Sequence, residues 1–283
     1  MNVILTGGTG YIGSAVLREL LAHGHAVTAL VRSDSAAETV RAAGATAVVG
    51  DLFDVAWLTE QLRGADALIH TAATGDERSP QLDGGVVDAV AAAGVPVHVH
   101  TGGVWVHGSG DAITEETPFA APAIVAWREA VEERALAATP TRTVVIEPAI
   151  VYGERKGITR LLAEGPRDAS GALELIGSGD QHWGTVHVDD VADLYVRALE
   201  SDTARGRYLA APTAHTVREI GLAIADEVAP STREAAEERL GAAFAEALLL
   251  DQTVTTTRAQ DELGWRPSRP TLVEELNAER VAA

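Results

Sequence analysis

A glycine-rich segment near the start of the chain most constrains the fold. It is Thr6–Gly13, which reads TGGTGYIG, and it follows the β-branched run Asn2–Thr6 and precedes apolar residues at helical spacing. Gly7 permits a tight turn, Gly10 lets the backbone approach a pyrophosphate, and Gly13 allows a helix to pack closely on a strand. The order strand, glycine turn, helix predicts a βαβ unit that binds a dinucleotide at the helix N-terminus. The alternative is a glycine turn in an α/β protein that binds no nucleotide.

The end of the second predicted strand bears on which dinucleotide is bound. The strand Ala26–Val31 is followed by Arg32 and Ser33, and Arg32 stands nineteen residues after Gly13. A carboxylate near this position bonds the ribose 2′-OH of NAD, whereas a guanidinium pairs with a 2′-phosphate. We therefore expect NADP(H) to be preferred, with Arg32 and Ser33 in contact with it. Asp34 keeps NAD(H) open, and an Arg32 that stacks on adenine or faces solvent is the alternative.

Composition limits the classes to which the chain can belong. The 283 residues are 46% hydrophobic, enough for the large core of an enzyme-sized fold. The net charge of −19 argues against nucleic acid as a partner, and the absence of cysteine excludes disulfides and thiol chemistry. With no bilayer-length apolar run and no leader, we expect a cytoplasmic protein without a membrane partner. The predicted partner is a small-molecule substrate, and a homodimer is left open.

Alternating strands and helices predict the fold class. Strands are expected at 45–49, 67–70, 95–100 and 142–147, with helices between them at about 55–63, 81–93 and 122–138. Such alternation predicts an α/β protein with a Rossmann-type, doubly wound parallel sheet.

The regular alternation of predicted strands and helices becomes looser after about residue 154. Two further helices are expected at about 190–200 and 233–250. We therefore divide the chain into a dinucleotide-binding domain, 1–154, and a smaller C-terminal substrate lobe, 155–283, with about 184–200 returning to the core.

Six segments, in order, resemble motifs of the extended short-chain dehydrogenase/reductase family, which includes NAD-dependent epimerases and dehydratases. They are Thr6–Gly13, Gly50–Leu52, Ile69–Ala73, Glu147–Gly153, Val186–Ala192 and Leu263–Pro267. In that family the first segment is the cofactor loop, the second contacts adenine, and the third lines the ribose and nicotinamide side. The resemblance implies a cofactor site formed by Gly7, Gly10, Tyr11, Ile12, Gly13, Asp51, Leu52, Thr71, Ala72, Ala73, Thr101, Pro148, Ile150 and Val151.

The family's proton-transferring residues are missing from their expected places. Members that transfer hydride use a Ser or Thr, a Tyr and a Lys, with the tyrosine as general acid/base. Counting back from Gly108, the Ser position falls on Gly103, and Thr101 is the remaining hydroxyl before Ser109. The helix that should carry the other two residues, Ile124–Glu133, contains neither tyrosine nor lysine. The sequence thus keeps the cofactor motifs and departs from the family in its catalytic residues.

The one lysine of the chain forms a Tyr-x-x-x-Lys pattern with Tyr152. Gly153 and Gly157 disfavour a helix at this point, and without helical geometry Tyr152 and Lys156 need not face each other. We therefore interpret the pattern as a decoy. Tyr152 still belongs to a segment that passes near the nicotinamide in the family, so it remains a candidate substrate contact, with packing in the cleft wall as the alternative.

Other candidates for chemistry lie near the family's cleft. An indole at Trp127 could cover the nicotinamide, and the guanidinium of Arg128 could bind a carboxylate or an oxyanion. The alternative is a helix face that closes an unused pocket. His107 and His187 could each donate a proton near neutral pH. The alternative is that each histidine has a structural role. The candidate catalytic set is Thr101, Trp127, Arg128, Tyr152 and His187.

Two further patterns have simpler interpretations. His98 and His100 point to one face of a strand at a spacing that can bind metal, but no acidic residue or cysteine is close in sequence, so we expect packing and no metal site. Asp189 and Asp190 precede an amphipathic helix, where we expect an N-terminal cap rather than a pair of catalytic carboxylates.

Three functions remain open after these observations. The favoured one is an NADP(H)-dependent oxidoreductase that acts on a small carbonyl or alcohol compound and takes its proton from water or an imidazole. The second is a redox sensor or regulator that binds NADP(H) without turnover. The third is a non-redox isomerase, lyase or cyclase that uses the former hydride pocket as a shaped cavity.

Overall fold

The computed structural model describes residues 1–282. Its strands are β1 Asn2–Thr6, β2 Ala26–Val31, β3 Thr46–Val49, β4 Ala67–His70, β5 Val97–Thr101, β6 Gly110–Ile113, β7 Arg142–Pro148, β8 Ile150–Tyr152, β9 Leu173–Glu174, β10 His182–His187, β11 Gly206–Ala210, β12 Thr213–Thr216, β13 Val228–Ala229 and β14 Gln252–Val254. Its α-helices are α1 Tyr11–Ala22, α2 Asp34–Ala42, α3 Val55–Leu62, α4 Ser79–Ala93, α5 Arg128–Ala137, α6 Thr159–Ala163, α7 Val188–Glu200, α8 Val217–Ile224, α9 Arg233–Leu240, α10 Ala242–Leu248, α11 Thr257–Leu263 and α12 Leu272–Ala282.

Seven parallel strands form the main sheet in the order β11-β7-β5-β4-β1-β2-β3. The winding direction reverses between β1 and β4. Thr6 pairs in register with His70, and His70 with His100, so the carboxyl ends of three central strands lie at one edge. The predicted doubly wound fold is confirmed, and ligands bind at this edge in sheets of this kind.

Both faces of the sheet are covered by helices. On one face α1 and α7 pack against each other and against the strands, with Leu5 and Leu194 in a common core. On the other face Leu58 of α3 and Val86 of α4 pack with Leu68. Because both faces are covered, all four residues of β4 are buried, three of them apolar and the fourth, His70, within hydrogen-bonding distance of Thr6 and Asp83.

The C-terminal lobe has a separate core around Trp183, Leu175 and Ile220. A small sheet of β12, β10 and β8 connects it to the main body. The chain then returns through α7 and β11, and β11 completes the edge of the main sheet beside β7. The returning segment therefore extends beyond the predicted 184–200. No helix within residues 1–282 is long and apolar enough to cross a membrane.

Two predicted helices have different bounds in the structure. The helix expected at about 122–138 begins at Arg128, because the residues after Pro122 form turns. The helix expected at about 233–250 is divided into α9 and α10 at Gly241, whose φ of 82° is incompatible with a continuous helix.

The prediction that Asp189 and Asp190 cap α7 is wrong. His187 is the N-cap residue, and its Nδ1 accepts a hydrogen bond from the backbone N–H of Asp189 (3.1 Å). The aspartates lie inside the first turn. The carboxylate of Asp190 instead accepts from the backbone N–H groups of Ser268 (3.0 Å) and Arg269 (3.2 Å), which attaches the loop after α11 to α7.

Candidate functional site

The glycine turn between β1 and α1 has the geometry that its sequence predicts. Gly7 has a φ of 77°, and a Cβ on it would lie 2.6 Å from the backbone nitrogen of Ala72. A Cβ on Gly13 would overlap the carbonyl oxygen of Gly7. Gly10 is exposed at the N-terminus of α1, a helix of 12 residues with no acidic residue in its first turn and no side-chain cap. The first N–H groups of this helix and its dipole therefore favour an anion here.

Two neighbouring cavities open at the carboxyl edge of the sheet. The first, the Arg32 cavity, has a volume of about 260 Å³. Its predicted lining residues are Gly7, Gly10, Arg32, Asp51, Leu52, Thr71, Ala72 and Ala73. The wall is completed by residues that were not predicted from the sequence, which are Thr9, Leu30, Val31, Phe53, Thr74 and Leu82. Arg32 is exposed, and within residues 1–282 no hydrogen bond or ion pair engages its guanidinium, which leaves it accessible to a ligand.

The second cavity, the Arg128 cavity, has a volume of about 340 Å³ and shares Thr71 and Ala73 with the first. Its predicted lining residues are Tyr11, Ile12, Thr71, Ala73, Thr101, Arg128, Pro148, Ile150 and Val151. The remaining wall is Gly102, Gly103, Val104, Trp105, Val125, Ala149, Gly157 and Ile158, and of these residues the sequence singled out Gly103, as the position expected for Ser. Most of this wall is apolar, and Arg128 is the charged residue in it.

Arg128 is held in the wall of this cavity by three contacts. Its Nη1 donates a hydrogen bond to the carbonyl of Thr101 (2.9 Å) and lies 3.9 Å from the buried carboxylate of Asp83. The guanidinium stacks 4.7 Å from the centre of the Trp127 ring. Trp127 itself does not line the cavity, since its indole N–H donates to the carbonyl of Ile124 (3.2 Å). The indole therefore stacks on Arg128 from outside the cavity wall.

The hydroxyl of Thr101 is engaged below the cavity. It donates to the carbonyl of His70 (2.6 Å) and, having a single proton, accepts from the hydroxyl of the buried Tyr195 (2.6 Å). Burial raises the pKa of Tyr195, so this phenol stays protonated. Gly103, at the position expected for Ser, has no side chain to replace the hydroxyl. Thr101 thus forms part of the wall without presenting a free O–H donor.

Tyr152 and His187 lie outside both cavities. The Tyr152 hydroxyl donates to the carbonyl of Pro270 (2.7 Å), and its ring packs edge-on against His187 at 5.4 Å. His187 is committed to capping α7, and burial lowers its pKa. Val151 of β8 lines the Arg128 cavity, whereas the next residue, Tyr152, packs in the core of the C-terminal lobe. Neither Tyr152 nor His187 lines either cavity.

The Tyr-x-x-x-Lys pattern does not form a helical pair. Gly153 has a φ of 112°, and Glu154 and Arg155 have φ values of 54° and 57°, so the segment is a left-handed turn. Lys156 Nζ donates to Glu154 (3.0 Å) and lies 5.9 Å from the centre of the Tyr11 ring. The interpretation of this pattern as a decoy agrees with that geometry.

Two predicted cofactor contacts, Ser33 and Gly13, line neither cavity. Ser33 accepts a hydrogen bond from Ala36 N–H (3.3 Å) and caps α2, while Gly13 acts through the packing described above.

His98 and His100 are buried in β5, with their rings packed edge-to-face at 5.3 Å. Burial lowers the pKa of His98 to about 3, so its ring is neutral.

A buried polar cluster below Gly102 was not identified from the sequence. It contains Glu132 of α5 and Glu147 of β7, both fully buried. Arg207 Nε lies 3.1 Å from Glu147 and 3.5 Å from Glu132, and His107 Nε2 lies 2.8 Å from Glu147. A Cβ on Gly102 would lie 2.7 Å from Glu132 Oε1, so a glycine is needed between this cluster and the cavity. The available signal was Glu147 itself, an acidic residue in an otherwise apolar strand.

We expect Glu132 to make the folded state less stable as the pH rises. Burial, then the charge of Glu147, raises the pKa of Glu132 to about 8, against the opposing effects of Arg128 and Arg207. A raised carboxyl pKa favours folding at low pH, and that contribution is lost as the pH rises through about 4.5 to 8. Between pH 5 and 9, the melting temperature of Glu132→Gln should fall less than that of the wild type, by on the order of 5 °C.

The matched control for this measurement is Glu133→Gln, which removes an exposed carboxylate from the same helix. It should follow the wild-type pH dependence. Parallel curves for the wild type and Glu132→Gln would mean that Glu132 ionises at an ordinary pKa and that the cluster holds both carboxylates charged.

Comparison with known proteins agrees with this architecture. The model of the NAD dependent epimerase/dehydratase family matches residues 3–211. The chain belongs to this family. An uncharacterized protein of Schizosaccharomyces pombe is 30% identical over 98% of both chains. The sterol-4-alpha-carboxylate 3-dehydrogenase, decarboxylating, of Dictyostelium discoideum is 31% identical over 56% of this chain and 55% of its own.

Solved structures show the same fold. MoeE5 in complex with UDP-glucose and NAD has a TM-score of 0.78 to this chain at 19% identity, covering 100% of this chain and 99% of that one. The resemblance to extended short-chain dehydrogenases/reductases is therefore confirmed for family and fold.

Proposed function

We propose that the protein is an NADP(H)-dependent oxidoreductase that interconverts a small carbonyl compound and its alcohol. The observation that carries this proposal is the arrangement of the two cavities, which meet at Thr71 and Ala73 beside the uncapped N-terminus of α1. A dinucleotide bound across them would have its diphosphate near the helix N-terminus, where backbone N–H groups and the dipole favour anions. Arg32 at one end suits a 2′-phosphate.

The residues around the turn fit a bound dinucleotide. Gly10 leaves the helix N-terminus open, since a Cβ at this position would meet only the carbonyl oxygen of Gly7, at 3.1 Å. Gly7 and Gly13 bring the strand and the helix close together, which no larger residue permits. When bound, the reduced cofactor supplies the hydride.

Arg128 would stabilise the substrate oxygen during reduction. As hydride adds to the carbonyl carbon, an electron pair moves to the oxygen, and a guanidinium that remains charged at all working pH values can neutralise it. The hydroxyls nearest to the cavity are committed, Thr101 to His70 and Tyr11 to the carbonyl of Gly153 (2.8 Å). We therefore assign water as the proton source.

Because these hydroxyls already donate hydrogen bonds to backbone carbonyls, a second function is also supported, that of a sensor that binds NADP(H) without turnover. Within residues 1–282 no side-chain hydroxyl or imidazole in the wall of the Arg128 cavity is free to donate a proton. The two candidates are separated by turnover. A panel of aldehydes, ketones and imines with NADPH across pH should yield at least one reduced compound if the protein is an enzyme, and tight NADPH binding without any turnover supports the sensor.

We expect Arg32→Ala to remove the preference for NADP(H). The wild type should bind NADPH more tightly than NADH, and the substitution should cost about 1–3 kcal/mol for NADPH alone, the range for a hydrogen bond to a charged group. Isothermal calorimetry measures both affinities. Arg41→Ala on α2 is a control that should alter neither, and equal wild-type affinities for the two cofactors would contradict the assignment of Arg32.

A further inference from the structure

The wall of the Arg128 cavity offers a substrate few polar partners. Apart from Arg128, its side chains are mainly apolar, and they include Trp105, Val125, Ile150 and Ile158. The two threonine hydroxyls in the wall donate to backbone carbonyls, Thr101 to His70 and Thr71 to Thr6 (2.8 Å). A sugar ring would lose water from several hydroxyls here without gaining hydrogen bonds, whereas an apolar group would lose nothing.

Apolar surface continues outside the cavity on two of the segments that form it. Ile124, next to the lining residue Val125, is 37% exposed, and Leu161, three residues after the lining residue Ile158, is 39% exposed. Six large apolar residues are this exposed within the described chain, and two of them lie on segments that also supply wall residues of this cavity. Single exposed apolar residues are ordinary, but two on the segments that form an apolar cavity favour a binding surface there.

The cations beside the cavity are already paired with acids. Lys156 binds Glu154 at 3.0 Å, Arg155 lies 3.3 Å from Glu279, and Arg160 binds Glu164 at 2.6 Å. Exposed pairs of this kind are weak, yet each has an acid that would repel a diphosphate. This side of the molecule therefore does not favour a nucleotide diphosphate.

We infer that the substrate carries an apolar chain that occupies the part of the Arg128 cavity lined by Trp105, Val125 and Ile158, which are not among the proposed cofactor contacts, and that continues towards Ile124 and Leu161. Its carbonyl or hydroxyl group lies at Arg128, which is the polar end of the site. The position of the carbonyl or hydroxyl group rests on the proposed oxidoreductase function. The apolar character of the rest of the substrate rests on the residues of the cavity wall.

The experiment uses the full-length protein with two series of probes. Unbranched alkanals of three to ten carbons are assayed with NADPH, and unbranched alkanoates of four to ten carbons are titrated calorimetrically into the protein with NADP⁺. A buried methylene contributes about 0.8 kcal/mol, so kcat/KM and affinity should each rise about fourfold per added carbon along the cavity. UDP-glucose is titrated as the competing class and should bind more weakly than octanoate.

Two variants, Leu161→Asn and Ile158→Asn, test where the alkyl chain of the probe lies, and Leu222→Asn is the control. Leu161→Asn should remove the gain for the longest chains and leave the short ones unchanged, while Ile158→Asn should reduce the gain from the first carbons onward. Leu222, which is 45% exposed on α8, is a matched apolar residue away from the cavity, and its variant should behave as the wild type.

The results separate this inference from the proposed function. Alkanoate affinity that rises with chain length in the absence of any turnover supports the apolar site and contradicts the oxidoreductase. Alkanal reduction that does not depend on chain length, or tighter binding of UDP-glucose than of octanoate, overturns the inference and leaves the oxidoreductase in place.

Discussion

Gly10→Val is expected to abolish binding of both NADPH and NADH while leaving the chain folded. Gly10 has a φ of −77°, an ordinary value for any residue, and a Cβ there meets only the carbonyl of Gly7 at 3.1 Å. The valine side chain would instead extend into the Arg32 cavity, across the N-terminus of α1. Loss of two hydrogen bonds to a charged diphosphate, at about 1.5–3 kcal/mol each, weakens binding by at least roughly 150-fold.

Calorimetry with each cofactor measures this loss, and the melting temperature without cofactor verifies the fold. Gly13→Val provides the contrast, because its Cβ would overlap the Gly7 carbonyl and Thr71 Oγ1 and should lower the melting temperature directly. If Gly10→Val binds either cofactor with wild-type affinity, the diphosphate does not lie at this helix N-terminus and the proposed cofactor site is wrong.

The glycine turn could be predicted because its determinants are local. Strand β1, the turn and helix α1 are consecutive in sequence, and β1 and β2 have the predicted bounds. Asp51 and Leu52 were expected at the cofactor site from the family resemblance, and both line the Arg32 cavity. The resemblance to a known family identified these segments in order.

The chemistry of the Arg128 cavity could not be predicted in the same way. Whether Thr101 presents its hydroxyl to the cavity depends on Tyr195, which is distant in sequence and reaches it only in the folded chain. The buried pair Glu132 and Glu147 depends likewise on Arg207 of the edge strand β11. Trp105 enters the wall from a short 3₁₀ helix, Val104–His107, and Val125 from a run of turns, and neither segment has the periodicity of an α-helix or a strand.

Arg128→Ala is expected to lower kcat/KM for carbonyl reduction by about a hundredfold or more, the scale for loss of one oxyanion-stabilising donor. NADPH affinity should change less, because the proposed partner of the guanidinium is the substrate oxygen. Steady-state kinetics with a substrate from the carbonyl panel, together with NADPH calorimetry, measures both effects. Lys156→Ala removes another cation near the cavity and should change kcat/KM less than about twofold, because Lys156 is paired with Glu154.

The pH dependence of the reaction in the direction of alcohol oxidation tests whether Arg128 acts without a tyrosine or histidine that transfers a proton. Burial together with the charge of Glu154 raises the pKa of Tyr11, so this phenol does not ionise between about pH 6 and 9. Alcohol oxidation should therefore lack the alkaline rise that a tyrosine–lysine pair produces. A transition near pH 6.5 that disappears in His187→Gln would instead identify an imidazole as the proton donor and would require His187 to leave its capping position.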